Sequence, residues 1–391
     1  MPTSPAPGAP SSAVVDLRAV EANVRVLAAH ARGAEVLAVV KADGYGHGLL
    51  PVARAARRGG ATWLGTAVLG EALALRAGGI PGRLLSWLHV PGTDFAAAIA
   101  ADVDVTVSAP WALDAVVAAA RQAGRAARIH LKVDTGLGRN GAYAADFDDL
   151  VRAALRHQGQ GAVAVVGIWS HFAYADRPDH PTVRRQQEVF EAAVAGAQRA
   201  GCRFEVRHLA NSAATLTNPS AHYDLVRPGI AVYGLSPVPE LAGAGQLGLT
   251  PAMRLTARLS LVKDVPAGQG VSYGHCYTTT ADTRLGLVPI GYADGVPRNA
   301  SSVGPLAVRG RRYTVAGRVC MDQIVVDLGA DSSAREGEQV VLFGAGADGE
   351  PTAQDWAVAT GTISYEIVSR IGPRVERVYV GDEGEREERE Q

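Results

Sequence analysis

The chain has 391 residues, of which 47% are hydrophobic and 20% charged, with a formal net charge of -1. That length admits two domains with large cores, and the near-neutral balance gives no electrostatic reason to expect nucleic acid or an acidic membrane surface as partner. Three scattered cysteines, Cys202, Cys276 and Cys320, with no Cys-x-x-Cys pair, argue against a disulfide framework or a zinc site and fit a reducing compartment.

Residues 1–12 are rich in Pro, Ser and Ala and read as a disordered tail; they lack the basic region and apolar run of a signal peptide. No apolar run reaches bilayer length, so the expected location is cytoplasmic. From residue 13 to about 240, short apolar runs alternate with Ala-rich helical stretches. Eight runs read as strands: 36–40, 63–66, 84–87, 103–107, 128–133, 163–168, 204–208 and 223–226. Helical stretches such as 112–123 and 182–200 lie between most of them. Eight βα units in about 230 residues predict a (β/α)8 barrel. Their uninterrupted apolar character predicts strands buried on both faces. A Pro/Gly-rich stretch, 236–245, reads as a linker. Beyond it, 253–265, 284–290, 306–308, 312–315, 323–328 and 339–343 alternate apolar and polar residues and predict a mainly antiparallel β domain over 241–380, with one helix at 353–360. Residues 381–391 are charged, poor in apolar side chains and read as a second disordered tail.

In a βα barrel the reactive side chains stand at the C-terminal ends of the strands. The first strand runs into Lys41-Ala42-Asp43-Gly44-Tyr45-Gly46-His47-Gly48. An amine at a buried strand end is costly as a cation, and desolvation makes it a nucleophile toward carbonyls. The fifth strand leads to Lys132 and, through Asp134-Thr135-Gly136-Leu137-Gly138, to Arg139. The sixth leads to Ser170-His171, the seventh to His208 and Asn211-Ser212, the eighth to Arg227-Pro228-Gly229-Ile230. Backbone N–H groups at Gly229 and Ile230, with the hydroxyls of Ser212 and Tyr45, form a candidate phosphate cradle without a charged side chain. There is no Gly-Lys-Ser/Thr, no dinucleotide fingerprint after the first strand and no His-Glu-x-x-His, which leaves P-loop, NAD and zinc-protease readings without a motif. A lysine beside a phosphate cradle suits pyridoxal phosphate held as a Schiff base. The β domain adds Ser272-Tyr273-Gly274, Gly291-Tyr292-Ala293-Asp294-Gly295, Cys320-Met321-Asp322 and Ser364-Tyr365-Glu366.

Taken jointly, these motifs resemble the alanine racemases, pyridoxal-phosphate enzymes of the barrel-plus-β-domain type. The resemblance runs from about residue 13 to 380 and adds Ala210-Asn211-Ser212, Tyr233-Gly234-Leu235 and Val271-Ser272-Tyr273-Gly274 to the matching stretches. It implies a homodimer with shared active sites that interconverts L- and D-alanine by a two-base mechanism, and a link to cell-wall precursor supply. Lys41 would carry the cofactor and serve as the base for D-alanine. Tyr273, given by the partner subunit, would be the base for L-alanine. Arg139 and the backbone of Met321 would hold the substrate carboxylate. Tyr45, Ser212, Gly229, Ile230 and Tyr365 would bind the phosphate, and Arg227 would face the pyridine nitrogen. His171, Arg227 and His208 would form a chain behind Tyr273. Lys132 matches a lysine that is carbamylated in some relatives and positions Arg139. Tyr292 and Tyr365 would narrow the entrance, and Asp322 would be a supporting residue of the site. Leu137 stands where many relatives carry methionine, and Trp87 where smaller residues are common.

Removing a proton from one face of a planar carbanion and returning one to the other requires groups on both faces. A phenol has a pKa near 10, so its use as a base near neutrality requires a lowering by roughly 2, about 2.7 kcal/mol. His171 coupled to Arg227 is the expected source of positive charge. The competing readings are a racemase of broader specificity, such as for serine, and a non-catalytic cofactor-binding barrel, which would leave the β domain and its tyrosines without a task.

Overall fold

The computed structural model describes residue 6 and residues 8–381. The expected tails therefore lie largely outside the described residues. Where the first one is described, it differs from the expectation: Ser11–Asp16 is a strand, β1, with Ser11 and Ser12 buried. Asp16 then caps the helix Leu17–His30, its Oδ1 accepting the Arg18 (2.9 Å) and Ala19 (3.3 Å) N–H groups, an arrangement that satisfies two of the N–H groups a helix start leaves open.

The next eight strands are β2 (Glu35–Val39), β3 (Trp63–Thr66), β4 (Arg83–Ser86), β5 (Asp104–Val107), β6 (Ala127–Lys132), β7 (Val163–Trp169), β8 (Val206–His208) and β9 (Leu225–Val226). They form one parallel sheet in the order β8-β7-β6-β5-β4-β3-β2-β9. The ring closes through a parallel bridge between Asn211 and Arg227 and the Asp224 N–H to the Arg207 carbonyl (3.1 Å). Outward-facing residues such as Ile129 are fully buried under the surrounding helices, so both faces are dry, as a parallel sheet requires. A bulge in β7, between the pairs Ile129↔Val165 and His130↔Gly167, re-aims that strand.

The second unit is built from β10 (Met253–Arg258), β11 (Leu261–Val265), β12 (Gly270–Val271), β13 (Tyr277–Thr278), β14 (Thr283–Val288), β15 (Pro305–Val308), β16 (Arg311–Thr314), β17 (Ile324–Asp327), β18 (Gln339–Phe343) and β19 (Glu376–Val380). A six-stranded sheet has the order β16-β15-β18-β10-β1-β19, and β11-β14-β17 form a second sheet. The run expected at 253–265 is two strands. The chain leaves the first sheet at Leu259, whose N–H binds the Glu338 carbonyl, and enters the second at Ser260, whose N–H binds the Leu287 carbonyl, each at 2.9 Å. β1 pairs antiparallel with β10 and parallel with β19, so the segment before the barrel is an interior strand of the second unit. The helix at Ala353–Thr360 falls where periodicity places it, and its Trp356 fills that sheet's core, the indole N–H donating to the Leu342 carbonyl (2.6 Å).

The second unit also touches the barrel mouth. The Arg377 Nε–H donates to the Gly46 carbonyl (3.1 Å). A Cβ on Gly46 would lie 2.5 Å from the Val368 carbonyl, at the end of a short helix, Ser364–Ser369, that carries Tyr365.

Candidate active site

A run of five residues with left-handed backbone begins one residue past Lys41: Ala42 (φ 53°), Asp43 (52°), Gly44 (60°), Tyr45 (51°) and Gly46 (79°). Left-handed turns cost L-residues roughly 1–2 kcal/mol each, so the surroundings must hold this one. Inside it, the Gly46 N–H binds the Ala42 carbonyl and the Gly48 N–H the Asp43 carbonyl, both at 2.9 Å. Outside it stands Glu71, whose Oε1 accepts the N–H groups of Ala42 (2.5 Å) and Asp43 (3.4 Å), while its Oε2 accepts those of Ala67 (3.2 Å) and Val68 (3.4 Å). Buried His47 closes the turn with Nδ1 against the carbonyls of Gly44 and Tyr45. Glu71→Ala removes both outer acceptors. We expect it to cost about 1–3 kcal/mol of unfolding free energy in urea and to speed hydrogen exchange at the Ala42 and Asp43 amides. Unchanged exchange there would assign the clamp elsewhere.

The turn sends Lys41 into a cavity of about 880 Å³ at the C-terminal ends of the barrel strands. Lys41, Tyr45, Lys132, Arg139, His171, Ser212, Arg227, Gly229, Ile230 and Tyr365 all line it. His208, fully buried, lies against Arg227 behind them. Burial lowers the Lys41 pKa, Arg139 lowers it further and Glu71 opposes them. The Lys132 amine is pushed down to about 7 by burial and then by Arg227 and Arg139; its Nζ sits 4.1 Å above the Trp169 ring, a contact that favours the charged form. Asp134 Oδ1 accepts the N–H groups of Gly136, Leu137 and Gly138 at 2.9–3.2 Å, and so folds the loop that carries Arg139 out to the exposed rim.

Arg227 is 4% exposed and has no carboxylate among its partners. Its Nη2 donates to the carbonyls of Ser170 (2.7 Å) and Leu209 (3.2 Å) and to His171 Nδ1 (3.3 Å), and its Nη1 donates to His208 Nδ1 (3.2 Å). The guanidinium lies 4.7 Å over the Trp169 ring. Burial pulls it down to about 9, still above neutrality, so it stays charged. This changes the role of His171. Desolvation, with Arg227, Arg139, Lys132 and Lys41 around it, holds His171 well below the ordinary imidazole pKa. The ring is neutral, and the positive charge belongs to Arg227. Because His171 Nδ1 accepts from Arg227, its Nε2 carries the hydrogen.

The segments expected to form a phosphate cradle bond to one another. The Ser212 hydroxyl accepts the N–H groups of Gly229 (2.7 Å) and Ala231 (3.3 Å), and Asn211 caps the helix Ser212–Thr217 through the Ala214 N–H (3.1 Å). A Cβ on Gly229 would stand 2.4 Å from the Tyr45 hydroxyl; only glycine leaves that opening. Tyr45 stacks on Tyr233, ring centroids 4.8 Å apart.

Besides His208, which lies behind the wall, four residues expected at the site are absent from the cavity lining of this chain: Tyr273, Tyr292, Met321 and Asp322. They gather on neighbouring loops of the β domain. The Tyr292 N–H binds the Cys320 carbonyl (3.0 Å), the Ala293 N–H binds the Met321 carbonyl (2.9 Å), and the Ser272 hydroxyl donates to the Arg318 carbonyl (2.7 Å). Asp322 pairs with Arg374 (2.8 Å), which also holds Asp294 (2.9 Å). Tyr273 is 69% exposed and Met321 53%. Reading strand ends also missed Glu71, which lies in a helix, and the inward-facing Trp169, Asp104 and His130. For the last two a signal existed: ionisable residues at alternating positions of an otherwise apolar buried strand.

The alanine racemase N-terminal domain model matches residues 15–237 and the C-terminal domain model residues 252–379. An alanine racemase of Beutenbergia cavernae is 59% identical over 372 residues, spanning 95% of this chain and 98% of that one. Another, from Streptomyces coelicolor, is 58% identical over 375 residues, spanning 95% and 96%. The crystal structure of alanine racemase from D-cycloserine-producing Streptomyces lavendulae superimposes with a TM-score of 0.96 at 57% identity, covering 97% of this chain and 99% of that one. A parallel barrel with its lysine turn, a β domain threaded by the first strand, and full-length likeness at this level have one explanation: the chain belongs to the alanine racemase family.

Proposed function

We propose that this protein interconverts L- and D-alanine with pyridoxal phosphate, as a homodimer whose active sites are shared between subunits. The observation that carries the reading is a desolvated amine, Lys41, in the same mouth as a buried, carboxylate-free guanidinium, Arg227. The residues present fit the cofactor. Ser212 and the backbone of Gly229 and Ile230, with the hydroxyls of Tyr45 and Tyr365, would hold its phosphate, the Gly229 N–H turning to it from the Ser212 hydroxyl, and Arg227 would meet its ring nitrogen. When bound, it supplies a conjugated ring that takes up the electron pair left at Cα.

The chain's own groups do the rest. Lys41 Nζ, its pKa lowered, takes or returns a proton on one face. The hydroxyl of Tyr273 of the partner subunit does so on the other, and the exposure of that phenol in a single protomer supports a partner surface over it. The His171 Nε2–H is a neutral donor aimed from a ring that Arg227 holds, which stabilises a phenolate. Arg139, on its rim loop, and the Met321 backbone N–H of the partner subunit hold the substrate carboxylate, and Lys132 steadies Arg139, either as amine or as carbamate. Tyr292 and Tyr365 narrow the entrance from the two subunits, with Asp322 holding the Met321 loop through Arg374. Trp87, edge-on to Trp169 at 6.1 Å, crowds the cavity wall and supports a small side chain on the substrate. Among the described residues no helix is long and apolar enough to cross a membrane. The reading places the enzyme in the cytoplasm, feeding D-alanine to cell-wall precursors.

Incubating the cofactor-loaded protein with L-alanine should carry its optical rotation to zero, faster than with L-serine. A rotation that stays constant would overturn the reading. A guanidinium is a cation that can only donate hydrogen bonds, so Arg227 would favour an unprotonated ring nitrogen, and the ring would then be a weaker electron acceptor. Arg227→Glu should raise transamination relative to racemisation by ~10-fold or more, because the charge facing the ring changes sign. An unchanged ratio would remove Arg227 from that role.

A further inference from the structure

The hydrogen bonds of Arg227 do not stop at His208. His208 Nε2 lies 2.9 Å from His130 Nδ1, and His130 Nε2 lies 3.2 Å from Asp104 Oδ2. Asp104 is fully buried, and its two oxygens also accept from Arg83 Nη2 (2.7 Å) and Arg128 Nε (2.6 Å). Both arginines are partly exposed. Asp104 and Arg83 open β5 and β4, and Arg128 is the second residue of β6, whereas Arg227 follows the end of β9. The line of polar groups therefore runs down the barrel interior, from the mouth to the closed N-terminal end. The fold makes room for it. A Cβ on Gly167 would lie 2.2 Å from His130 Nδ1, and the β7 bulge is what puts Gly167 opposite His130.

The donors have only one consistent order. Arg227 has no lone pair to offer, so His208 Nδ1 accepts from it and His208 Nε2 bears the hydrogen. That hydrogen goes to His130 Nδ1, which leaves the hydrogen of His130 on Nε2, directed at a carboxylate that can only accept. Each end is a fixed charge, a cation at the mouth and an anion at the floor, and two neutral imidazoles point the same way between them. Burial and the cations around it hold His208 well below the ordinary imidazole pKa. Burial alone would raise the Asp104 pKa, but His130, Arg83 and Arg128 outweigh it and keep the carboxylate ionised.

We propose that Asp104 and His130 are positioning residues for the reaction: by fixing the tautomer of His208 from the far end of the barrel, they keep its Nδ1 open to Arg227 and so hold the guanidinium in its place at the mouth. The kinetic part rests on the reading of Arg227 given above; the tautomers belong to the protein without cofactor. In Asp104→Asn, the amide oxygen stays with Arg128 Nε, the shortest of the three contacts, and the amide nitrogen takes the place of Oδ2, against His130 Nε2 and Arg83 Nη2; the partly exposed Arg83 turns to its other partner, Glu205. A donor now meets His130 Nε2, so His130 moves its hydrogen to Nδ1, His208 does the same, and two N–H groups confront each other at Arg227.

The test is 15N NMR of histidine-labelled, cofactor-free protein, with His130→Phe and His208→Phe used for assignment. In the unmodified chain both rings should have bare Nδ1 and protonated Nε2. A hydrogen on Nδ1 of either ring, or a doubly protonated ring, would sink the proposal before any variant is made. Asp104→Asn should exchange the two signals in both rings. In the loaded enzyme it should lower kcat for racemisation by ~10-fold or more, the loss of one hydrogen bond to a charged group. It should also raise the share of transamination, with KM for alanine nearly unchanged. Arg83→Met, which loosens the floor but leaves Arg128 on Asp104, should keep both tautomers and the share of transamination; a change like that of Asp104→Asn would mean that floor packing is responsible. If the tautomers exchange, Arg227→Glu alters the share of transamination and Asp104→Asn does not, the proposal is wrong and the function stands. If neither variant alters it, the reading of Arg227 fails instead.

Discussion

Lys41→Ala protein mixed with pyridoxal phosphate will show no visible band from covalently held cofactor and will lose racemisation by ~10⁴-fold or more. Two functions leave with one side chain, the nucleophile and one of the two proton carriers, and a positioned acid or base alone is worth about 10²–10⁴-fold. The proposed phosphate cradle does not depend on Lys41: Ser212, Gly229 and Ala231 bond to one another. Cofactor should therefore still enter and be retained reversibly, so that dialysis removes it from the variant and not from the parent. The other amine in the cavity is Lys132, pushed down to about 7 and therefore itself able to react. A residual yellow adduct trapped by borohydride reduction and mapped to Lys132 would show that the cavity admits two attachment points, and would overturn the assignment of a single carrier.

Tyr273→Ala should depress exchange of the Cα hydrogen of L-alanine by ~10²–10⁴-fold, with a much smaller loss for D-alanine, because only one face is deprived. Equal losses would mean that a single group serves both. Mixing gives a sharper outcome. In a heterodimer of Lys41→Ala and Tyr273→Ala chains, one site has both lesions and the other has neither. Random reassociation of two inactive proteins should then restore about a quarter of the parent activity, since half of the dimers carry one intact site. No recovery would place residue 273 in its own chain's mouth, against its exposure in the protomer.

Much of this architecture was legible because burial writes itself into composition. Strands buried on both faces must be apolar, so 36–40 and 63–66 stood out, and the residues just after them were the natural place to look for chemistry. β1 and β19 stayed hidden because their partners lie more than 230 residues away in sequence, and their short runs have no local turn to announce them. The left-handed turn after Lys41 was invisible for another reason: Ala42 and Tyr45 do not favour that backbone, and it exists because Glu71, His47 and Arg377 hold it. Which member of the His171–Arg227 pair carries the charge is not legible in sequence, because sequence names the neighbours of a group along the chain, whereas its titration is set by the cations brought around it by folding. Asp104 and His130 were overlooked because each, alone, is a polar residue in a strand; only the barrel makes them meet.

The position of β1 between β10 and β19 has a consequence for how the molecule is made. A ribosome delivers β1 before any other strand, β10 only after the whole barrel and β19 after every other strand, so the barrel is complete while the opening segment still waits with both edges unpaired. Contacts of such long sequence separation are slow to form, and an unpaired edge is a hazard for association until they do. It also ties the two halves mechanically: pulling residues 11–16 out of the sheet would leave β10 and β19 without the strand between them, and would slacken the strand from which Arg377 reaches the lysine turn.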